Sequence, residues 1–115
     1  MMDCIFCKII SGEIPSEKVY ENASVYAFSD IHPLTPVHVL VVPKVHIKNI
    51  DDISEENGRV MSDLFAAVNE IAAMKGLREK GYRVIINNGK AAGQEVFHLH
   101  MHILGGKEDL GGMLA

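Results

Sequence analysis

The sequence predicts an α+β protein: a mainly antiparallel, five-stranded sheet carrying one long and one short helix. Three observations predict it. Short segments that alternate apolar and polar residues recur along the chain, as half-buried strands require. One longer stretch carries apolar residues at helical spacing instead. Proline and glycine separate the segments. With 115 residues, one domain over 1–115 is expected, small enough that a second subunit would help to bury surface. A homodimer is therefore the expected assembly.

Taken in order, residues 4–11 read as a short helix ended by Gly12, with Pro15 blocking its continuation. Val19-Tyr20-Glu21 and Val25-Tyr26-Ala27-Phe28 flank Asn22-Ala23-Ser24, the pattern of a hairpin with a polar turn. Pro33 and Pro36 keep residues 30–36 extended. His38-Val39-Leu40-Val41-Val42 is a third strand, closed by Pro43. The long helix is expected to begin near Ser54 as its cap, with Glu55 and Glu56 in its first turn, and to stop at Gly76. Its stripe of Val60, Leu64, Val68 and Ile71, with Met61 and Phe65 beside it, belongs to a core or a subunit interface. Tyr82-Arg83-Val84-Ile85-Ile86-Asn87 is a fourth strand, and after the loop at 88–95 the fifth is His98-Leu99-His100-Met101-His102-Ile103-Leu104.

Composition excludes several classes of function. A hydrophobic share of 48% with 23% charged residues is ordinary for a globular chain, and no apolar run approaches the ~20 residues that cross a bilayer. Met1-Met2-Asp3-Cys4 places an acid where a secretory leader carries basic residues, so a cytoplasmic location is expected. A net charge of -4 leaves no basic excess for polymeric DNA or RNA, while a single nucleotide held by local groups stays possible.

The fifth strand carries the chemistry. Period-two alternation sends His98, His100 and His102 to one face and Leu99, Met101 and Ile103 to the other, using half of the six histidines of the chain. Imidazoles so grouped suit either of two tasks. They can chelate zinc or copper, or one can act as a nucleophile that forms a labile phosphorus–nitrogen bond while its neighbours stabilise phosphoryl oxygens. Hydrogen-bonded structural histidines are the bland alternative.

This run resembles the signature of the histidine triad (HIT) family. The likeness extends to Phe28-Ser29-Asp30-Ile31, Pro36-Val37-His38, Val42-Pro43-Lys44-Val45-His46 and Gly93-Gln94-Glu95-Val96-Phe97, in family order along nearly the whole chain. Within the family the chain is most similar to the Hint branch of nucleoside phosphoramidases. That resemblance implies a HIT-like fold with its sheet extended across a dimer, and a two-step hydrolysis of purine nucleoside 5′-phosphoramidates, in which His100 attacks the α-phosphorus and water then releases the nucleotide. It assigns His102 and His38 to phosphate contact and His98 to supporting His100. Asp30 would take the ribose hydroxyls, Phe28 and Ile31 the base or sugar, and Asn87 the phosphate region, with Gly93 and Glu95 on the approach loop. Read without the family, Asp30 is a cap of its turn and His38 a solvated strand end. Glu95 replaces a serine found in other family members; a carboxylate is ordinarily ionised at neutral pH, which leaves the leaving-group preference open. Competing functions are a dinucleoside polyphosphate hydrolase of the same fold, a non-catalytic nucleotide- or zinc-binding scaffold, and a metalloenzyme using all three triad histidines.

Cys4 and Cys7 are the only cysteines. Their C-x-x-C spacing fits half of a zinc site, a redox dithiol or two buried apolar residues. Some bacterial HIT proteins resemble this arrangement, and the likeness implies a structural zinc held by Cys4, Cys7, His46 and His98, with no metal needed for catalysis. The glycine-containing tail at 110–115 is expected to be able to reach a partner's pocket.

Overall fold

The computed structural model describes residues 3–113. Its elements are α1 (Ile5–Ile10), β1 (Lys18–Glu21), β2 (Val25–Ser29), β3 (Val37–Pro43), α2 (Arg59–Met74), β4 (Arg83–Ile85) and β5 (Met101–Gly105), with single 3₁₀ turns at Ile50–Asp52 and Lys90–Ala92. The five strands form one sheet in the order β1-β2-β3-β5-β4, and every neighbouring pair is antiparallel. Among the described residues no helix is long and apolar enough to cross a membrane.

The period-two pattern divides this sheet into two faces. Val25 and Ala27 of β2, Val39 and Val41 of β3, and Leu99, Met101 and Ile103 pack with Leu64, Ala67, Val68, Ile71 and Ala72 of α2 as the main core. Tyr26, Phe28, Leu40 and Val42 point the other way and meet Phe6 and Ile9 of α1. That second layer is thinner, and it is the face that carries the histidines.

Helix α2 begins later than the sequence suggests. Ser54 does not cap it, because Asn57 holds residues 52–57 as a turn: its Oδ1 accepts from the Ser54 N–H at 2.7 Å and its Nδ2 donates to the Asp52 carbonyl at 2.9 Å. The helix starts only at Arg59, with Gly58 as an N-cap that has no side chain to give. Its end follows expectation. Gly76 takes φ +68°, the left-handed conformation that favours glycine. The N–H of Leu77 then returns to the Ala72 carbonyl at 2.9 Å and that of Gly76 to Ala73 at 3.2 Å, a Schellman closure with Leu77 buried beneath it.

Two strands are shorter than expected. β4 keeps only Arg83–Ile85 of the six-residue segment. The β5 ladder begins at Met101, so His98 and His100 precede the paired region although their faces still alternate. The guanidinium of Arg83 donates to the carbonyls of Leu110, Gly111 and Gly112 at 3.3, 2.9 and 3.3 Å and ties the tail to β4 of its own chain. Leu114 and Ala115, the end of the tail, and Met1 and Met2 lie outside the described residues.

Candidate active site

The triad histidines belong to a row of rings that an aromatic side chain completes between His98 and His100. His46 and His98 have centroids 4.8 Å apart, His100 and His102 5.1 Å, and His102 and His38 5.2 Å. Phe6 of α1 turns an edge-to-face contact toward both His98 (5.9 Å) and His100 (5.1 Å), filling the gap between them. β3 contributes His38, which is 5% exposed and not the solvated strand end that residue type alone suggests.

Hydrogen bonds fix which nitrogen of each neutral ring carries its proton. A carbonyl can only accept, so the 2.8 Å contact of His100 Nδ1 with the His98 carbonyl makes Nδ1 the donor and leaves the Nε2 lone pair free. By the same logic His98 Nε2 donates to the Pro43 carbonyl at 2.8 Å, and its Nδ1 is unprotonated. The Leu34 N–H donates to His38 Nδ1 at 3.1 Å, so His38 Nε2 bears hydrogen and donates to His102 Nδ1 at 2.9 Å. The proton of His102 is thereby assigned to Nε2. The row thus offers a nucleophilic nitrogen at His100 beside an N–H donor at His102, the pair that attack on a phosphoryl centre needs.

Burial keeps these rings neutral. It pushes His100 below the ordinary histidine value, against the opposing pull of the His98 carbonyl and Asp30. It also lowers His38 despite Asp30, and brings His102 to about 4, with His100 and His38 adding to the effect. In the unfolded chain these groups protonate near pH 6.5. Below that pH the unfolded state therefore binds more protons than the folded one, and stability is lost as the pH is lowered. The unfolding midpoint is expected to hold above about pH 6.5 and drop as pH falls toward 4, with a shallower drop in His102→Gln. Urea titrations across that range check this; parallel profiles for the two proteins would contradict it.

Beside the row lies an apolar cavity of about 330 Å³, walled by Phe6, Ile9, Phe28 and Leu40, with Asp30 and Ile31 on one side and Glu95 and Val96 on the other. Asp30 Oδ1 accepts from the His32 N–H at 2.8 Å, so it does cap its turn, while its Oδ2 stands 3.5 Å from His38 Nε2. Asp30 thus caps its turn and also lines the cavity. Ile31 is almost fully exposed at the rim. Asn87 lies two residues beyond Ile85, the cross-strand partner of His102. Gly93 closes the Lys90–Ala92 turn at φ +84°, a conformation glycine adopts without strain.

Two groups of potential metal donors form among the described residues: Cys4, Cys7, His46 and His98, and Asp30, His38 and His102, each with donor atoms within 4.8 Å of one another. They separate His98 from His102 and leave out His100, unlike a site built on all three triad histidines. The first group fits a metal. Cys4 Sγ lies 3.5 Å and Cys7 Sγ 3.6 Å from His98 Nδ1, and Cys7 Sγ lies 3.4 Å from His46 Nδ1. Tetrahedral zinc with Zn–S of about 2.3 Å and Zn–N of about 2.0–2.1 Å has ligand edges of about 3.5 Å. The Pro43 carbonyl holds His98 in the tautomer whose Nδ1 lone pair faces the sulfurs, as a ligating histidine requires. The second group does not fit as well, since the Leu34 N–H occupies His38 Nδ1 and a metal at Nε2 would require an imidazolate.

The sequence reading missed two residues. Phe6 lines the cavity and touches two triad rings; its i, i+3 pairing with Ile9 on the apolar side of α1 was the available signal. Gln94 was read only as part of a motif, yet its side chain is buried and fully hydrogen-bonded.

A family model described as the HIT domain matches residues 11–109. The purine nucleoside phosphoramidase of Escherichia coli K12 is 44% identical over 113 residues, covering 98% of this chain and 94% of that protein. Among solved structures, a HIT family hydrolase from Clostridium thermocellum superposes with a TM-score of 0.95 at 50% identity, covering 100% of this chain and 99% of its own. A histidine triad protein from Clostridium difficile does so with 0.93 at 51% identity, covering 97% and 96%. With the model spanning most of the chain and the likeness reaching from α1 through β5, this protein belongs to the histidine triad family.

Proposed function

We propose that this HIT-family hydrolase cleaves purine nucleoside 5′-phosphoramidates through a nucleotidyl intermediate on His100. The observation that carries the reading is the 2.8 Å bond from His100 Nδ1 to the His98 carbonyl, which frees Nε2 on a ring packed against Phe6, itself part of the wall of the apolar cavity. The name of the Escherichia coli relative supports the substrate class. In the first step His100 Nε2 forms a bond to the α-phosphorus and the bond from phosphorus to the amine breaks. The amine takes up a proton from solvent as it leaves. Water then attacks phosphorus and gives a proton to solvent, the bond to Nε2 breaks with its electron pair returning to the ring, and the nucleoside monophosphate departs. The Nε2–H of His102 and the side chain of Asn87 face the phosphoryl oxygens in this reading; His38, whose ring nitrogens are engaged by the Leu34 N–H and by His102, holds the His102 tautomer in place of the phosphate contact that the resemblance implies. Phe28 and Ile31 enclose the base or sugar, Asp30 receives the ribose hydroxyls, and Gly93 and Glu95 border the phosphoryl group.

The same reading places a structural zinc at Cys4, Cys7, His46 and His98. It would supply a cross-link between α1 and the segment before β5, with all four coordination positions taken by protein and none open to substrate. It also includes a homodimer, its sheet continued through an edge strand.

Charge favours an amine over a phosphate as leaving group. No lysine or arginine lines the cavity, and the adjoining hollow is bordered by Asp3 and Glu95. A departing polyphosphate would bring its negative charge there without a partner. The value of kcat/KM for adenosine 5′-phosphoramidate is expected to exceed that for a diadenosine polyphosphate by at least about tenfold. A preference for the dinucleotide would move the function to the polyphosphate hydrolases, and binding of AMP without turnover of either would make the protein a scaffold.

A further inference from the structure

The ladder that carries the histidines stops at the pairing of Val41 with Met101. His98, Leu99 and His100 lie beyond it, so the sheet itself does not place the proposed nucleophile. Other bonds do. The Leu99 N–H donates to the Ile47 carbonyl at 2.7 Å, and the Ile50 N–H donates to Asn88 Oδ1 at 2.7 Å, stitching the segment after β3 to the loop before β5.

Gln94 is the centre of that seam. Its residue is 5% exposed although Gly93 and Glu95 on either side are exposed. A buried primary amide is costly unless its donors and acceptor are matched, and here they are. Gln94 Oε1 accepts from the Gly89 N–H at 2.8 Å and from Asn49 Nδ2 at 3.1 Å, while Nε2 donates to the carbonyls of Lys48 at 2.9 Å and Val96 at 3.1 Å. Asn49 is 2% exposed and is held in turn by the Asp51 N–H, which donates to its Oδ1 at 3.1 Å. One side chain thus joins three stretches of backbone, one of them Val96, which walls the cavity two residues before His98.

We propose that Gln94, backed by Asn49, is a positioning residue for phosphoryl transfer: it sets the Glu95–Val96 wall and the approach of His100 Nε2 to phosphorus. The assignment rests on His100 being the nucleophile. It requires glutamine in particular. Glutamate has the same shape but turns both donated bonds into contacts between a carboxylate and a carbonyl, and asparagine is too short to span the three segments.

The test compares Gln94→Glu and Asn49→Ala with the wild-type enzyme on adenosine 5′-phosphoramidate, measuring kcat, KM and the Kd of AMP. Because a misplacement of about 1 Å can cost on the order of 100-fold in rate, Gln94→Glu is expected to lower kcat by roughly 10- to 100-fold, and Asn49→Ala by less. The Kd of AMP should stay within about threefold in both, since Phe6, Phe28, Leu40 and Asp30 lie on other elements. An unchanged kcat in a folded variant overturns the proposal, as does a loss matched by equal weakening of AMP binding. If Gln94→Glu does not fold, Asn49→Ala decides. No turnover by the wild-type enzyme would overturn the functional reading and this assignment with it, whereas active variants beside an active wild type overturn this assignment alone.

Discussion

Replacing His100 by asparagine is expected to abolish phosphoramidate turnover while leaving a nucleotide-binding protein. The bond-forming atom is a ring nitrogen whose lone pair is free because the other nitrogen donates to the His98 carbonyl. Asparagine brings an amide nitrogen with no comparable lone pair, and glycine brings nothing. With no second nucleophile in the row correctly disposed, kcat should fall roughly 10⁴-fold or more. His102 cannot stand in, since its Nδ1 accepts from His38 and its Nε2 carries the proton. Binding should survive, because Phe28, Leu40 and Asp30 come from other elements and Phe6 loses only one of its aromatic contacts. Isothermal titration with AMP and single-turnover kinetics on the same preparation separate the two effects. Incubating a slow variant or the wild type with substrate and quenching in alkali should give a nucleotidyl adduct on His100 by mass spectrometry. Full activity in His100→Asn, or an adduct on another residue, would refute the assignment.

The faces of the sheet were legible in the sequence because alternation is a local rule. Leu99, Met101 and Ile103 fall in the α2 core and the histidines on the opposite side, as a period of two demands. The end of α2 was equally legible, since a glycine in the left-handed conformation closes a helix by contacts within six residues. What failed depends on competition between side chains. Ser54 and Asn57 both suit a cap, and only the distances show that Asn57 binds the Ser54 N–H and the Asp52 carbonyl and delays the helix. The late start of β5 likewise reflects a partner distant in sequence: Leu99 bonds to Ile47, not to β3. For the site, spacing brought His98, His100 and His102 together on the page, but His38, Asp30 and the Cys4–Cys7 pair reach them through pairings that no local pattern encodes. Gln94 was hardest to see, because a buried glutamine in a loop has no signature beyond its identity.

Metal removal should produce the largest change in stability. Helix α1 has six residues, too few to persist by itself in water, and it is held by Phe6, Ile9 and the two cysteines. The thiols and imidazoles at its foot stand at separations that suit bonds to a common zinc, and such lengths make only weak direct contacts between sulfur and nitrogen. Protein purified without a histidine tag is expected to carry about one zinc per chain. A metal present at a thousand times its dissociation constant adds about 4 kcal/mol, on the order of 15 °C in Tm for a domain of this size. Chelation, or Cys7→Ser, should therefore lower Tm by that order and expose Phe6. Since Phe6 also borders His100 and the cavity, AMP affinity should weaken in step, and AMP should by linkage raise the affinity for zinc by the same factor. Metal analysis, calorimetric scans and AMP titration of the zinc-loaded and chelated protein measure each effect separately. A metal-free protein with unchanged Tm and unchanged AMP affinity would show that the four residues form a packed apolar corner and no metal site.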